Sequence, residues 1–158
     1  MAEEKRPLIE VKNLKKYFQV GSGKTLHAVD DVSFSLEKGQ TLGPVGESGC
    51  GKTTTIKMIT QLLKADSGEI WVDGKQIAGQ KQQNRKEIKN LYTKIQMVFQ
   101  TPQDSFDPRK KIGDSIMESM RNHGIGKKEA QNRLEQLLQQ VELPTEIADR
   151  YPNQVSGG

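Results

Sequence analysis

The stretch Gly46-Glu47-Ser48-Gly49-Cys50-Gly51-Lys52-Thr53 decides how the rest of the chain is read. It satisfies G-x-x-x-x-G-K-[ST] at every fixed position, the pattern of a phosphate-binding loop. Each fixed type has a task that few others can do. Glycines let the backbone curl so that amide N–H groups converge on an anion. Lys52 offers a flexible cation to the β- and γ-phosphates of a nucleotide. The Thr53 hydroxyl is a hard oxygen ligand of the kind Mg²⁺ takes. The run from Thr54 to Leu63 reads as a helix, whose N-terminus adds partial positive charge at the same place. Cys50 reads as a small residue that fits the loop rather than as a reactive thiol. A second stretch, Gly21-Ser22-Gly23-Lys24-Thr25, looks similar but fails the pattern, because Phe18 stands where the first glycine belongs. Strand-like sequence follows it, so it reads as a flexible turn between two strands.

Outward from the loop, the spacing of apolar residues sets the order of elements. Leu8 to Leu14 alternates apolar and polar residues, and Leu26 to Leu36 continues the pattern, as antiparallel strands do. Gln40 to Val45 is expected to be the strand feeding the loop, although Pro44 would remove a ladder N–H from it. Asp66-Ser67-Gly68 reads as a turn, and Glu69–Val72 with Lys75–Ile77 as a hairpin around Asp73-Gly74. Residues 80–92 are polar and expected to be partly helical. Lys94 to Phe99 is expected to be a buried strand ending at Gln100. From Thr101 the character changes. Pro102 and Pro108 break a loop, and Ile112, Ile116, Met117 and Met120 then fall at helical spacing. Gly124-Ile125-Gly126 separates this helix from a second, marked by Ala130, Leu134, Leu137, Leu138 and Val141. Pro144 opens a short third segment that ends at Tyr151-Pro152. The expected organisation is a nucleotide-binding core with its β subdomain over residues 1–100 and a helical subdomain over 101–158.

The bulk numbers narrow the class. A chain of 158 residues can bury a real core. Its mean hydropathy of -0.72 is polar for a globular domain, yet the apolar residues cluster in periodic runs. No apolar run approaches the ~20 residues of a membrane span. The first residues, Met1 to Arg6, carry no signal-peptide core. A single cysteine forms no internal disulfide and fits a reducing compartment. The net charge of +4 raises nucleic-acid binding as a reading. The lysines are spread along the chain without interleaved aromatics, so no nucleic-acid partner is expected. The densest runs, Lys81 to Lys89 and Arg109 to Lys111, read as solvated faces or contacts to a protein.

Strand, strand, phosphate loop, helix, hairpin, strand, Gln100, helical block and then Val155-Ser156-Gly157-Gly158 form an order that resembles the ATP-binding subunits of ABC transporters. Ser156-Gly157-Gly158 is similar to the start of that family's signature, Leu-Ser-Gly-Gly-Gln, and Gln100 to its Q-loop glutamine. Within the family the chain looks most like the oligopeptide and dipeptide importers. Leu14 to Phe18, Ala28 to Phe34, Val45 to Lys52, Phe99-Gln100 and Asp107-Pro108-Arg109 carry that narrower match. The resemblance implies an α/β fold with a P-loop NTPase core, an antiparallel β subdomain and a helical subdomain. It implies ATP and Mg²⁺ as cofactors. The implied nucleotide contacts are Gly46, Glu47, Ser48, Gly49, Cys50, Gly51, Lys52, Thr53 and Thr54, with Phe18 stacking on adenine and Tyr17 as the other candidate. Thr53 and Gln100 are the implied metal ligands, and Lys52 and Gln100 the implied catalytic residues. Ser156 and Gly157 would complete the site of the opposite subunit in a head-to-tail dimer. Transmembrane permease subunits are the other implied partners, and the cytoplasmic face of the membrane the implied location.

The departures from the family matter as much. The sequence ends before the signature's glutamine, and with it the Walker B aspartate, the catalytic glutamate, the D-loop and the switch histidine. The expectation is therefore an incomplete fold, its C-terminal half missing. One reading is the N-terminal part of a transport ATPase; the alternative is a nucleotide-binding fragment that does not hydrolyse. A GTPase or small-molecule kinase shares the phosphate loop, but no Asn-Lys-x-Asp run is present and Ser156-Gly157-Gly158 would go unexplained.

Overall fold

Two long runs flanking a glycine turn pair as an antiparallel hairpin, β1 (Ile9–Val20) with β2 (Lys24–Leu36). Gly23, at φ 72, supplies the left-handed step of the turn. β3 (Ser67–Val72) adds to the other side of β1, and β4 (Lys75–Ala78) to β3, giving one antiparallel sheet in the order β2-β1-β3-β4. The β3–β4 turn is the expected one: Asp73 and Gly74 take φ 52 and 71, the two positive angles that a tight hairpin with right-handed twist requires. The structure is a computed structural model that describes residues 6–21, 23–79, 84–101 and 105–155, the Arg85 side chain excepted. The chain divides into two compact units, Met1–Met97 and Val98–Gly158.

In the first unit the inward face of the sheet carries Val11, Leu14, Val29, Ile70, Val72 and Ile77. Met58 from α1 (Lys52–Ile59) and Leu91 from α2 (Arg85–Tyr92) close over them. α2 starts with a reciprocal cap: Asn84 Oδ1 accepts from the Glu87 N–H at 3.0 Å, and Glu87 Oε2 from the Asn84 N–H at 2.9 Å. The ladder between β1 and β2 slips between Val11 and Leu14, where Asn13 and Asp31 both take positive φ, 47 and 57. These residue types tolerate that region. Their side chains meet, Asn13 Nδ2 donating to Asp31 Oδ1 at 2.9 Å, and the Asn13 N–H donates to Ser33 Oγ at 2.8 Å. Gly68 sits against this irregularity at φ 92; a Cβ there would lie 2.5 Å from the Asn13 carbonyl oxygen and 2.6 Å from Leu14 Cα.

Two expected strands are not formed. Residues 40–47 and 95–99 have no regular secondary structure, and Val45 and Val98 are 96% and 88% exposed. A strand exists through its ladder, and among the described residues no strand pairs with either segment. Ile95 still packs against the core of the sheet, whereas Val45 and Val98 find no burial there. Pro44 therefore interrupts no ladder in this structure, and the expected conflict does not arise. α1 also stops earlier than the expected Leu63. The Thr60 hydroxyl donates to the carbonyls of Ile56 and Lys57, at 3.0 and 3.2 Å, and Gln61 turns to φ 58.

The second unit has its own core. α3 (Ile112–Asn122) and α4 (Lys127–Gln140) bury Met117, Ala130, Leu134 and Leu138 between them, with Ile116, Met120, Ile125 and Ala148 packed against these. Ala148 lies in a 3-10 turn, Thr145–Asp149, held back on α3 by the Ile112 N–H donating to the Arg150 carbonyl at 2.9 Å. Gly113 permits that contact: a Cβ there would be 3.0 Å from both Ala148 Cβ and the Ala148 carbonyl oxygen.

The close approach at Gly68 gives a stability test. Gly68→Ala adds a Cβ against rigid backbone at a positive φ, so it is expected to cost roughly 2–4 kcal/mol, the upper range for a single substitution. The urea midpoint checks it; a loss no larger than that of a surface Gly→Ala change would show that β1 can give way.

Candidate functional site

The phosphate-loop residues sit between the exposed segment after β2 and the first turn of α1. Gly49 and Gly51 take φ 84 and 90, which only glycine adopts without strain. Gly46 lies so close to Cys50 that a Cβ would stand 2.7 Å from Sγ. Gly51 faces the carbonyl oxygen of Ala28 and the Val29 side chain so closely that no side chain fits there. The loop is thus docked on β2 through its last glycine.

Lys52 closes the loop on itself. Its ammonium donates to the Gly46 carbonyl at 2.7 Å and to the Glu47 carbonyl at 2.6 Å. Cys50 Sγ, at 3.3 Å, is the remaining acceptor, and thiol sulfur is a weak one. Two strong acceptors therefore hold the cation in the ring, and the contact to sulfur is the one an anionic oxygen displaces most readily. α1 begins at Lys52 with Gly51 as its N-cap and no side chain capping it. The first-turn amides of Lys52, Thr53 and Thr54 and the exposed Thr53 hydroxyl are left for a ligand at the positive end of the helix dipole. The first intrahelical bond runs from the Thr55 N–H to the Gly51 carbonyl at 2.9 Å.

The aromatic candidates are brought to the same region by β-sheet register. Lys16 pairs with Val29, Tyr17 with His27 and Phe18 with Leu26, so both rings flank the stretch of β2 on which Gly51 docks. They are not equivalent. The Tyr17 ring stacks on His27 with centroids 4.2 Å apart, and its hydroxyl donates to Asp30 Oδ1 at 2.6 Å. That hydrogen bond raises the tyrosine pKa and lowers that of Asp30, with His27 and Lys15 also favouring the carboxylate. Phe18 is half-buried, with the Lys16 ammonium 5.4 Å from its ring centroid. Gln100 is exposed and belongs to the second unit. Ser156 and Gly157 lie outside the described residues.

One residue of this region was read from sequence only as part of a turn. Asp66, after α1, accepts from Lys16 Nζ at 2.6 Å and from the Tyr17 N–H at 2.7 Å. Its partners lie about fifty positions away, so no local pattern announces them. The Lys16 ammonium, and then the Tyr17 amide, hold its carboxyl below the usual carboxylate range.

Residues 29–158 match the family model described as ABC transporter. The chain belongs to the ABC transporter family. Among curated relatives, the oligopeptide transport ATP-binding protein OppF of Bacillus subtilis (strain 168) is 44% identical over 153 residues, 96% of this chain and 49% of the relative. The glutathione import ATP-binding protein GsiA of Pectobacterium atrosepticum is 42% identical over 159 residues, 96% of this chain and 25% of the relative. The chain spans about half the length of the oligopeptide-transport relatives it matches. Among solved structures, the dimeric ATP-binding cassette MJ0796 in a post-hydrolysis state bound to ADP and Pi superposes with a TM-score of 0.80 at 25% identity, over 94% of this chain and 63% of that one. The fold is therefore that of ABC cassettes, with the antiparallel subdomain and the helical unit both formed.

The lowered pKa of Asp66 fixes the sign of a pH effect. A depressed carboxylate contributes fully above its unfolded value of about 4 and loses its contribution as pH falls through the folded value. Asp66 is partly exposed, so solvent screening limits its share to about 1 kcal/mol at neutral pH. Asp66→Asn is expected to lower the urea midpoint at pH 7 and to narrow that deficit as the pH drops toward 3. A deficit unchanged across the range would assign the loss to shape rather than charge.

Proposed function

We propose that residues 46–54 bind the β- and γ-phosphates of ATP, and that the chain is the N-terminal part of the ATP-binding subunit of an oligopeptide or dipeptide importer. The observation that carries this is the ring closed by Lys52 at the uncapped N-terminus of α1, docked beside the aromatic end of β1. A loop already curled around its lysine gives up little entropy on binding an anion. Phe18 is the better stacking platform for adenine, because the Tyr17 ring is already stacked on His27 and tied to Asp30.

The site suits Mg²⁺ in its donor type: Thr53 presents a hydroxyl in the first turn, next to where the phosphates would lie. A magnesium ion arriving with the nucleotide would neutralise charge on the phosphate oxygens. Lys52 orients the phosphates, and Gln100 would report on them to the helical unit. Its amide can ligate but cannot act as a base, since a neutral amide has no proton-accepting group of useful basicity. For residues 1–158 we therefore infer nucleotide binding with little turnover, the hydrolysis of the transport cycle depending on groups outside this set.

The dimeric form of the matched cassette supports a head-to-tail pair in which Ser156 and Gly157 serve the opposite site. In this reading residues 1–100 hold nucleotide and residues 101–158 face the permease at the cytoplasmic surface. Among the described residues no helix is long and apolar enough to cross a membrane. In this reading membrane association comes through the permease partners.

Lys52→Ala is expected to weaken MgATP binding at least tenfold, the scale of one charge-assisted hydrogen bond of about 1.5–3 kcal/mol. Calorimetric titration reads this directly, and equal affinity in the two proteins would remove the loop as the site. Steady-state phosphate release by the chain is expected at a small fraction of a full cassette's rate. Turnover at a full cassette's rate, abolished by Lys52→Ala, would show that a residue within 1–158 positions the attacking water.

A further inference from the structure

Lys16 and Phe18 stand two positions apart on β1, so their side chains share a face of the strand. The Lys16 ammonium lies over the Phe18 ring, 5.4 Å from its centroid. It is held there: Asp66 Oδ1 accepts from it at 2.6 Å, and the Lys16 side chain is only 14% exposed. The other Asp66 oxygen accepts from the Tyr17 N–H at 2.7 Å, and the Asp66 N–H donates to the Lys15 carbonyl at 3.0 Å. One aspartate, in the connection between α1 and β3, thus grips three consecutive residues of the aromatic strand. At the other end of α1, Gly51 docks on Ala28 of the neighbouring strand. The phosphate-loop helix is therefore tied to the aromatic end of the β1–β2 hairpin before its first turn and after its last.

We propose that Lys16 and Asp66 are a positioning pair for the nucleotide base, Asp66 fixing the Lys16 ammonium on one face of Phe18 while adenine stacks on the other. The inference rests on the nucleotide reading above and deepens it. A cation on one face of a ring draws π density toward itself, which lessens repulsion with a second ring laid on the opposite face. The same grip ties Phe18 to the connection that leads from the end of α1 at Ile59, through Asp66, into β3. Tyr17 has a separate task in this arrangement. Its backbone N–H serves the grip while its ring packs on His27 on its own side of the strand.

Two probes separate the base from the phosphates: MgATP, and magnesium tripolyphosphate, which carries the phosphate chain without a base. Both are titrated calorimetrically into the full chain and its variants. Lys16→Met and Asp66→Asn are expected to weaken MgATP roughly three- to tenfold and tripolyphosphate by less than about twofold. Lys16→Arg, which keeps a cation over the ring, is expected to retain the ATP preference. Equal losses for the two probes would mark the pair as merely structural, and unchanged ATP affinity would show no role in binding; either overturns the proposal. If Asp66→Asn is too unstable to titrate, Lys16→Met decides alone, because it keeps the apolar stem that packs on the sheet. Lys52→Ala runs beside them and should weaken both probes. ATP binding indifferent to Lys52→Ala would overturn the nucleotide reading and the pair with it, a pattern distinct from failure of the pair alone.

Discussion

The first unit depends on one close approach, that of Gly51 to the Ala28 carbonyl. Only a residue without a side chain can end the phosphate loop there, and α1 starts at the next residue. The direction of the helix is thereby fixed against β2, and β2 passes that geometry to β1 through its register. The Lys52 ring is then local chemistry on a base already anchored. Loosening the glycine contact would leave Lys52 able to bond its own carbonyls but with no defined place relative to the aromatic strand.

The sequence made the loop legible because its fixed residues are fixed for chemical reasons. Glycine at 49 and 51 meets a demand for positive φ that other residues meet only with strain. The Asp73-Gly74 turn and the two long helices were legible in the same way, one through backbone angles and the others through a period of 3.6. β1 runs six residues past its expected end at Leu14, because ladder bonds are blind to the Lys15-Lys16 pair that breaks the alternation. Segments 40–45 and 94–99 misled for the opposite reason: apolar content records a wish for burial, whereas a strand needs a neighbour that composition does not name. The turn expected over Asp66-Ser67-Gly68 is not formed, because Ser67 and Gly68 open β3 against β1, and the role of Asp66 was not legible since its acceptors serve residues remote in sequence. Phe18, Tyr17 and residues 46–54 are the candidates the sequence offers, but the engagement of the Tyr17 ring with His27 and Asp30 became visible only through packing.

The helical unit illustrates how helical spacing alone leaves a specific join unstated. α4 turns Ala130, Leu134 and Leu138 inward while Leu137 and Val141, one turn apart, stay exposed. The inward set packs on α3, and the 3-10 turn at Ala148 enters the core only because Gly113 makes room. Charge then fastens the edges: Lys111 pairs with Asp149 at 2.9 Å and Lys110 with Glu118 at 2.8 Å. Exposed pairs of this kind add little stability, so the join is a matter of fit rather than of charge.

The Lys52 ring also explains why the loop needs lysine rather than any cation. An ammonium directs its hydrogens to the corners of a pyramid, so two can reach inward to adjacent carbonyls while the other points away from them. A guanidinium spreads its hydrogens in a single plane. Aimed at the two carbonyls, that plane would lie across the ring and present its flat face, not a donor, to whatever sits above. The tetrahedral nitrogen lets one side chain brace two backbone carbonyls while its third hydrogen turns to the weak acceptor Cys50 Sγ.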